Sequence, residues 1–212
     1  HCHDNMNQIS GLTIKKTIKK NITDFYERHL LFKRYKKCNN HFIAISNDAK
    51  EYFLKVIPNK LQKNVFFLSN AIDFDRFYFD RTATDKENII NAVCVGSLVD
   101  KKNQKFLIPI ALYLKSKAYD CIINVLGDGP NRSLLENQIK ANNLTENIVL
   151  HGNVNNVEEF MWKANFFIHT ATYEPFGLVL LEAMSAGLPV ISLDGKGNRD
   201  IIKHKENGYI SL

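Results

Sequence analysis

Two glutamates bracket a mostly apolar stretch, "YEPFGLVLLEAMSAGLPVIS", at residues 173–192. Glu174 lies in a loop, and Phe176-Gly177 reads as the start of a helix that carries Glu182 on its second turn. The first turn of a helix leaves backbone N–H groups unpaired, and the helix dipole adds partial positive charge there. An anion fits that end, most naturally a diphosphate. Gly177 has no Cβ, so a ligand can approach its backbone closely. If the Glu182 face borders the same cleft, its carboxylate can accept hydrogen bonds from two adjacent hydroxyls, the pair that a ribose offers. Glu174, at the mouth, can do the same for a sugar ring beyond the phosphates. The spacing therefore suits a ligand with ribose, diphosphate and sugar in line. The other reading is structural: Glu174 complements the dipole and Glu182 is solvated. "AMSAGLPVI" reads as small-residue helix packing, a stop at Gly187 and a Pro-led strand.

The elements that must position these residues alternate regularly. Strands are predicted at 89–96, 121–127, 147–152, 165–170, 189–193 and 208–212. Helices are predicted between them at 103–117, 131–143, 157–164, 176–187 and 198–204. Strand and helix alternating through short loops demand parallel pairing, because each helix carries the chain back across the sheet. The strands are apolar on both faces, as a doubly covered sheet requires. The fold class is α/β, a doubly wound, Rossmann-like parallel sheet. Ligands in such sheets sit beyond the carboxyl ends of the strands, here near Gly96, Gly127, Gly152, Thr170 and Asp194. Upstream, Ile14, Ile18, Ile22, Phe25, His29 and Phe32 mark a basic helix within 8–37. A strand at 41–46, a helix from Asn47 and a strand at 65–68 follow. The polar, aromatic-dotted stretch after that reads as a connection. The expected organisation is a remnant of a first domain at 1–72, a linker at 73–88 and a ligand-binding domain at 89–212.

Composition sets outer bounds. The 212 residues are 45% hydrophobic and include 14 Phe, which excludes a disordered chain. The net charge of +6 is compatible with nucleic acid, an anionic membrane or a phosphorylated substrate, and selects none of them. Cys2, Cys38, Cys94 and Cys121 form no CxxC or CxH cluster, so reduced thiols in a cytosolic protein are expected. No apolar run reaches the roughly 18 residues of a spanning helix. Sequons at Asn21, Asn131 and Asn143 matter only in a secreted protein. The chain opens on "HCHDN" without an initiator Met and stops at "NGYISL" just after a strand-like run, so it reads as a fragment of a longer protein.

The motifs resemble those of the family 4 glycosyltransferases (group 1), which have the GT-B fold. E-x-F-G-x-x-x-x-E followed by "AMSAGLPVI" is similar to the family signature. "SNAIDFDRF" resembles its linker, and "VGSLVDKKNQKFLI" the first strand–loop–helix of its donor domain. "VLGDGP", "LHGNV" and "GKGNRDII…NGYI" match later strand ends, so the resemblance covers about residues 41–212. It implies a retaining transferase that uses a nucleotide-sugar as substrate, UDP- or GDP-linked, with no metal or other cofactor. By position, Glu174 would hold sugar hydroxyls, and the N–H groups of Phe176, Gly177 and Leu178 would face sugar and diphosphate. Glu182 would bind the ribose and Lys102 the diphosphate. Gly152, Asn153 and Val154 would lie beside the base, and Gly96 would let the phosphates approach. His3, with His1 as the spare, would match the histidine of the N-terminal domain near the transferred sugar. Most of that domain, and much of the acceptor site, would then precede residue 1, and the fragment alone would be expected to be inactive. One departure stands out: Ser97 occupies the place of the family's second phosphate cation, leaving Lys101, Lys196 or Arg199 to substitute.

The implied chemistry is electrostatic. Negative charge builds on the β-phosphate as the glycosidic bond breaks, and preorganised N–H dipoles with Lys102 stabilise it most in the transition state. No pair of carboxylates has hydrolase-like spacing. "DFD" at 73–75 mimics a metal-binding D-x-D but lies in the linker, so a structural role is expected. "GDGP" at 127–130 lacks the Lys-Ser/Thr of a P-loop and reads as a tight turn. The basic helix has nine Lys or Arg within 14–37. It suits either an anionic membrane surface or an ordinary solvated face. Partners expected are a nucleotide-sugar and a glycan or lipid-linked acceptor, with no nucleic acid. The expected place is the cytoplasm, at the inner face of its membrane, in bacterial capsular or surface polysaccharide synthesis. Two other functions are weighed: a nucleotide-sugar epimerase, which would need acid/base residues between the domains where no convincing set appears, and a non-catalytic nucleotide-binding domain.

Overall fold

The computed structural model describes residues 41–81 and 89–211. His1, His3 and the basic helix predicted within 8–37 lie outside the described residues. The chain divides into two compact units between Asn70 and Ala71.

In the first unit, β1 (Phe42–Ala44) pairs in parallel with β2 (Val65–Phe67), Phe42 opposite Val65. The crossover is α1 (Asn47–Val56), followed by the short α2 (Asn59–Gln62). The cap of α1 is Ser46, whose hydroxyl accepts from the Ala49 N–H at 3.1 Å. Ile57 and Leu61 are buried against Phe42, Tyr52, Phe53 and Val65.

The second unit opens with α3 (Phe74–Phe77), capped by the Asp73 carboxylate through the Arg76 N–H at 3.3 Å. Asp73 of the "DFD" motif is thus a helix cap. The sheet strands are β3 (Ile90–Val95), β4 (Cys121–Leu126), β5 (Ile148–Gly152), β6 (Phe166–His169), β7 (Val190–Leu193) and β8 (Tyr209–Ser211). All pair in parallel in the order β5-β4-β3-β6-β7-β8. The crossovers are α4 (Leu107–Ser116), α5 (Arg132–Ala141), α6 (Val157–Lys163) and α7 (Leu178–Ser185). No described helix is long and apolar enough to cross a membrane.

The two faces of the sheet have separate cores, and β3 shows why both must be apolar. Val93 points to one core with Met161, Phe167, Leu180 and Val190. Its neighbours Ala92 and Cys94 point to the other, with Leu107, Ala111, Ile123 and Leu135. Burial pushes the Cys94 thiol up to about 12, so it stays protonated. Cys94 and Cys121 are both free and buried.

The last predicted helix, 198–204, is reduced to a single 3-10 turn, Gly197–Asp200. Asn198 is fully buried and its amide turns back to Ser192 Oγ (2.7 Å) and the Leu193 carbonyl (2.9 Å). Asn207 then takes the Lys203 N–H at 2.7 Å, and its own amide reaches the Ile201 carbonyl. Asn198 thus ties the turn back to β7, and Asn207 satisfies backbone groups that a helix would have paired internally, so the chain turns instead.

Candidate functional site

The strand order reverses its sense of winding between β3 and β6. Ligands in open α/β sheets sit in the crevice at such a switch point. Two loops meet there, one leaving each strand.

The loop after β3 begins at Gly96. Gly127 packs beneath it so closely that a Cβ on Gly127 would lie 2.3 Å from the Gly96 carbonyl oxygen. Gln104, buried, donates its amide to the carbonyls of Gly96 (3.2 Å) and Ser97 (3.0 Å). A 3-10 turn, Asp100–Lys102, follows and ends at Asn103 in the left-handed conformation. The Lys102 carbonyl accepts from the Thr170 hydroxyl at 2.7 Å, and the Lys101 carbonyl from the Thr172 N–H at 2.9 Å. The turn is thereby fastened to the segment that leaves β6.

That fastening brings the Lys102 ammonium onto Glu174 Oε2, a mostly buried, hydrogen-bonded ion pair. His169, at the end of β6, is 2% exposed, and its Nε2 lies 3.3 Å from the same Oε2. This is ion-pair range without hydrogen-bond alignment, and Nε2 has no hydrogen-bond partner among the described residues. Burial alone would push the Glu174 carboxyl up; the His169 imidazole and the Lys102 ammonium outweigh it and hold the group at about 2. At neutral pH Glu174 is therefore an anion that can only accept hydrogen bonds.

His169 was not legible as a site residue, because "NFFIHT" reads as a buried strand and its histidine as part of the filling. Its role is testable. A folded pKa below the unfolded one means that Glu174 adds stability above about pH 4.5 and loses it as pH falls toward 2. In His169→Leu the carboxyl is expected to titrate closer to 4.5, so acid unfolding begins at a higher pH. Carbon-detected NMR titration of the Glu174 carboxyl checks this; an unmoved titration would remove His169 from the site.

Helix α7 starts at Leu178, later than the sequence suggested. Gly177 is its N-cap at φ 95°, ψ 60°, a left-handed conformation that cannot continue a helix. A Cβ on Gly177 would lie 2.9 Å from Leu180 Cδ1 and 3.2 Å from Glu174 Cγ. Phe176 is buried in the loop, while Leu178 is partly exposed. No acidic residue occupies the first turn of α7. Among the described residues no group accepts from the N–H of Gly177, Leu178 or Val179. The amino end of α7 is therefore a set of free donors beside a positive dipole end.

Glu182 lies one turn further along the Leu178 face of α7. It is half-buried; desolvation pushes its carboxyl up, and nearby Arg76 partly offsets this. Arg76 donates to Glu158 (Nε 3.2 Å, Nη2 2.8 Å) and to the Asn155 carbonyl at 3.0 Å. One guanidinium thus holds the loop after β5 on the Glu182 side of the helix. That loop comprises buried Gly152, exposed Asn153 and half-buried Val154. Sequence reasoning missed Arg76, whose only signal was its place inside the connecting segment. Of the three candidate substitute cations, Arg199 is committed: its Nε bonds Asp194 Oδ1 at 3.0 Å and its Nη2 bonds Oδ2. A separate cavity of about 280 Å³ opens beside Asp100, Asn103, Asn131, Gln138 and Thr172, and is lined by neither Glu174 nor Glu182.

Known proteins resemble this chain in sequence and in fold. Residues 73–211 match the sequence profile of the family described as Glycosyl transferases group 1. Among curated relatives, the putative glycosyltransferase EpsF of Bacillus subtilis is 27% identical over 173 residues, covering 78% of this chain and 45% of that protein. The UDP-Gal:alpha-D-GlcNAc-diphosphoundecaprenol alpha-1,3-galactosyltransferase of Escherichia coli is 26% identical over 220 residues, covering 95% and 54%. The chain thus spans about half the length of these relatives. Among solved structures, Anabaena HepE in complex with UDP and glucose superposes with a TM-score of 0.68 at 22% identity, over 81% of this chain and 49% of that one. The pneumococcal O-GlcNAc transferase GtfA in complex with UDP and GlcNAc gives 0.71 at 23% identity, over 89% and 36%. These likenesses establish the GT-B fold. With the profile match running from the helix cap at Asp73 through the last strand, the chain belongs to the group 1 glycosyl transferases.

Proposed function

We propose that this chain forms the donor side of a retaining glycosyltransferase that moves a sugar from a nucleoside diphosphate to a glycan or lipid-linked acceptor. The observation that carries this reading is the convergence of three features at one switch point. They are the unaccepted N–H groups at the start of α7, the Lys102 ammonium and the ionised Glu174. In this reading Glu174 Oε1 accepts from sugar hydroxyls while Oε2 stays with Lys102 and His169. Glu182 takes the ribose, and the backbone of Gly152, Asn153 and Val154 flanks the base.

In the transfer step a bond forms between the acceptor oxygen and the anomeric carbon. The bond from that carbon to the β-phosphate oxygen breaks, its electron pair stays on the phosphate, and the departing phosphate takes the proton of the acceptor hydroxyl. The acceptor attacks from the face that the leaving group vacates, which retains configuration. The N–H groups of Gly177 and Leu178 and the Lys102 ammonium are already oriented where that charge grows, so they favour the transition state over the ground state. The positive charge supplied this way calls for no metal ion. The UDP complexes of the solved relatives support a uridine donor. The diphosphoundecaprenol named for the E. coli relative supports a lipid-linked acceptor, and with it surface or capsular polysaccharide synthesis at the inner face of the cytoplasmic membrane.

Calorimetric titration with UDP, GDP and ADP and their sugar conjugates tests the reading. One nucleotide series is expected to bind, and Glu182→Ala is expected to weaken it about tenfold, since two hydrogen bonds to a charged acceptor are lost. Equal affinity in wild type and variant would remove the ribose assignment, and no binding of any series would remove the donor reading.

A further inference from the structure

We infer that Lys196 is a second cation for the donor's diphosphate, delivered by a strained turn that is fastened to the backbone of Glu174. The inference rests on the donor reading above.

Residues Gly195, Lys196 and Gly197 form a three-residue turn at the carboxyl end of the sheet, closed by the Gly197 N–H on the Gly195 carbonyl at 3.0 Å. Lys196, its central residue, has φ 67° and ψ −72°. This is the rare, strained hand of such a turn, and a side chain there is unfavourable where glycine would be relaxed. The turn is held to Glu174 on both sides. The Glu174 N–H donates to the Gly195 carbonyl at 2.8 Å, and the Gly197 N–H also reaches the Glu174 carbonyl at 3.0 Å.

The fit leaves no room at Gly197. A Cβ on it would lie 2.3 Å from the Pro175 carbonyl oxygen and 2.4 Å from that of Glu174. Glycine is thus used on one flank because the backbones touch, while lysine is kept at the position that would most favour glycine. Strain retained in this way marks functional positions.

The charges around the turn give the lysine its task. Lys102 is paired with Glu174, and Arg199 with Asp194. Lys196 donates its backbone N–H to Asp194 Oδ1 at 3.1 Å and its charge adds to the Arg199 hydrogen bond in holding that carboxyl down, but no described group takes its ammonium in a hydrogen bond or ion pair. Its side chain is exposed. A cation beside a diphosphate that develops further charge on leaving stabilises that charge. With Ser97 on the loop after β3, the turn after β7 presents a flexible lysine stem beside the Glu174 loop that leads into α7.

The test uses the 212-residue chain with UDP and UMP as probes, or the matching pair for whichever base the nucleotide screen selects. In the unaltered chain UDP binds more tightly than UMP. Lys196→Gly is expected to shrink that gap about tenfold, by loss of a charge-assisted contact. The same variant is expected to unfold about 2 to 4 °C higher, because the strain is relieved. Lys196→Arg is expected to keep the gap without the gain in stability. An unchanged gap in Lys196→Gly overturns the assignment alone, and so does equal weakening of UDP and UMP, which would make the turn merely structural. Failure of the unaltered chain to bind any nucleotide overturns the donor reading and this assignment together.

Discussion

On the donor reading proposed above, replacing Lys102 by alanine is expected to slow sugar transfer about a hundredfold, measured with the acceptor side present as nucleoside diphosphate released from the nucleotide-sugar. The estimate follows from loss of one preorganised donor to the leaving group, about 3 kcal/mol. The variant also leaves Glu174 buried beside His169 without its main cation. Burial, the first influence on that carboxyl, then acts with less opposition, and the group moves up from about 2. Some stability at neutral pH goes with it, because removing one partner of a buried pair strands the other. The two effects can be separated. Lys102→Ala with Glu174→Gln should recover thermal stability, since no buried charge is stranded, and should recover no transfer. A double variant that regained turnover would show that Lys102 serves only to neutralise Glu174.

The largest expected loss of stability lies away from the site, at Arg81. Its guanidinium makes three hydrogen bonds to backbone carbonyls: Ala186 at 2.6 Å, Ala164 at 2.8 Å and Met161 at 2.7 Å. Ala164 and Ala186 are the C-caps of α6 and α7. The last carbonyls of a helix have no partner within it, and a cation there also complements the dipole. One side chain therefore completes two helices at once. Arg81→Ala is expected to lower unfolding free energy by about 3 kcal/mol, since charged hydrogen bonds to half-buried carbonyls are lost together. Arg81→Lys should rescue little, because a point charge cannot reproduce a planar fork. Urea unfolding of the chain checks both. A loss no larger than that of an exposed residue would show that water replaces the clamp.

Sequence reading placed Glu174 in the loop after a marked strand and Glu182 on a marked helix, and resemblance singled out Lys102; the structure brings Lys102 and Glu174 into contact. Alternation of apolar runs with short loops is a local signal, and it carried the sheet and its crossovers. Contacts between distant loops leave no such mark. Nothing in "NFFIHT" says that His169 touches Glu174, because both flank the same loop only after β6 is in its register. The helix expected at 198–204 failed for a similar reason: Asn198 and Asn207 find backbone partners that periodicity cannot show. The connecting segment looked polar and loose, yet Arg76 and Arg81 fasten its described part to α6, α7 and the loop after β5. The departure at Ser97 was visible by resemblance, whereas the strained turn at Lys196 required backbone angles.

The Lys102–Glu174 pair is built across the seam between the two halves of the sheet, where the ladder sets Ala92 opposite Phe166 and Val93 opposite Phe167. A slip of one residue at that seam would slide one charge past the other by about 3.3 Å and turn alternate side chains to the wrong face. The chain lengths from Ala92 to Lys102 and from Phe166 to Glu174 therefore act as two calibrated arms of one caliper. Insertions can accumulate in loops at the opposite edge of the sheet, but a graft that alters either arm must alter both.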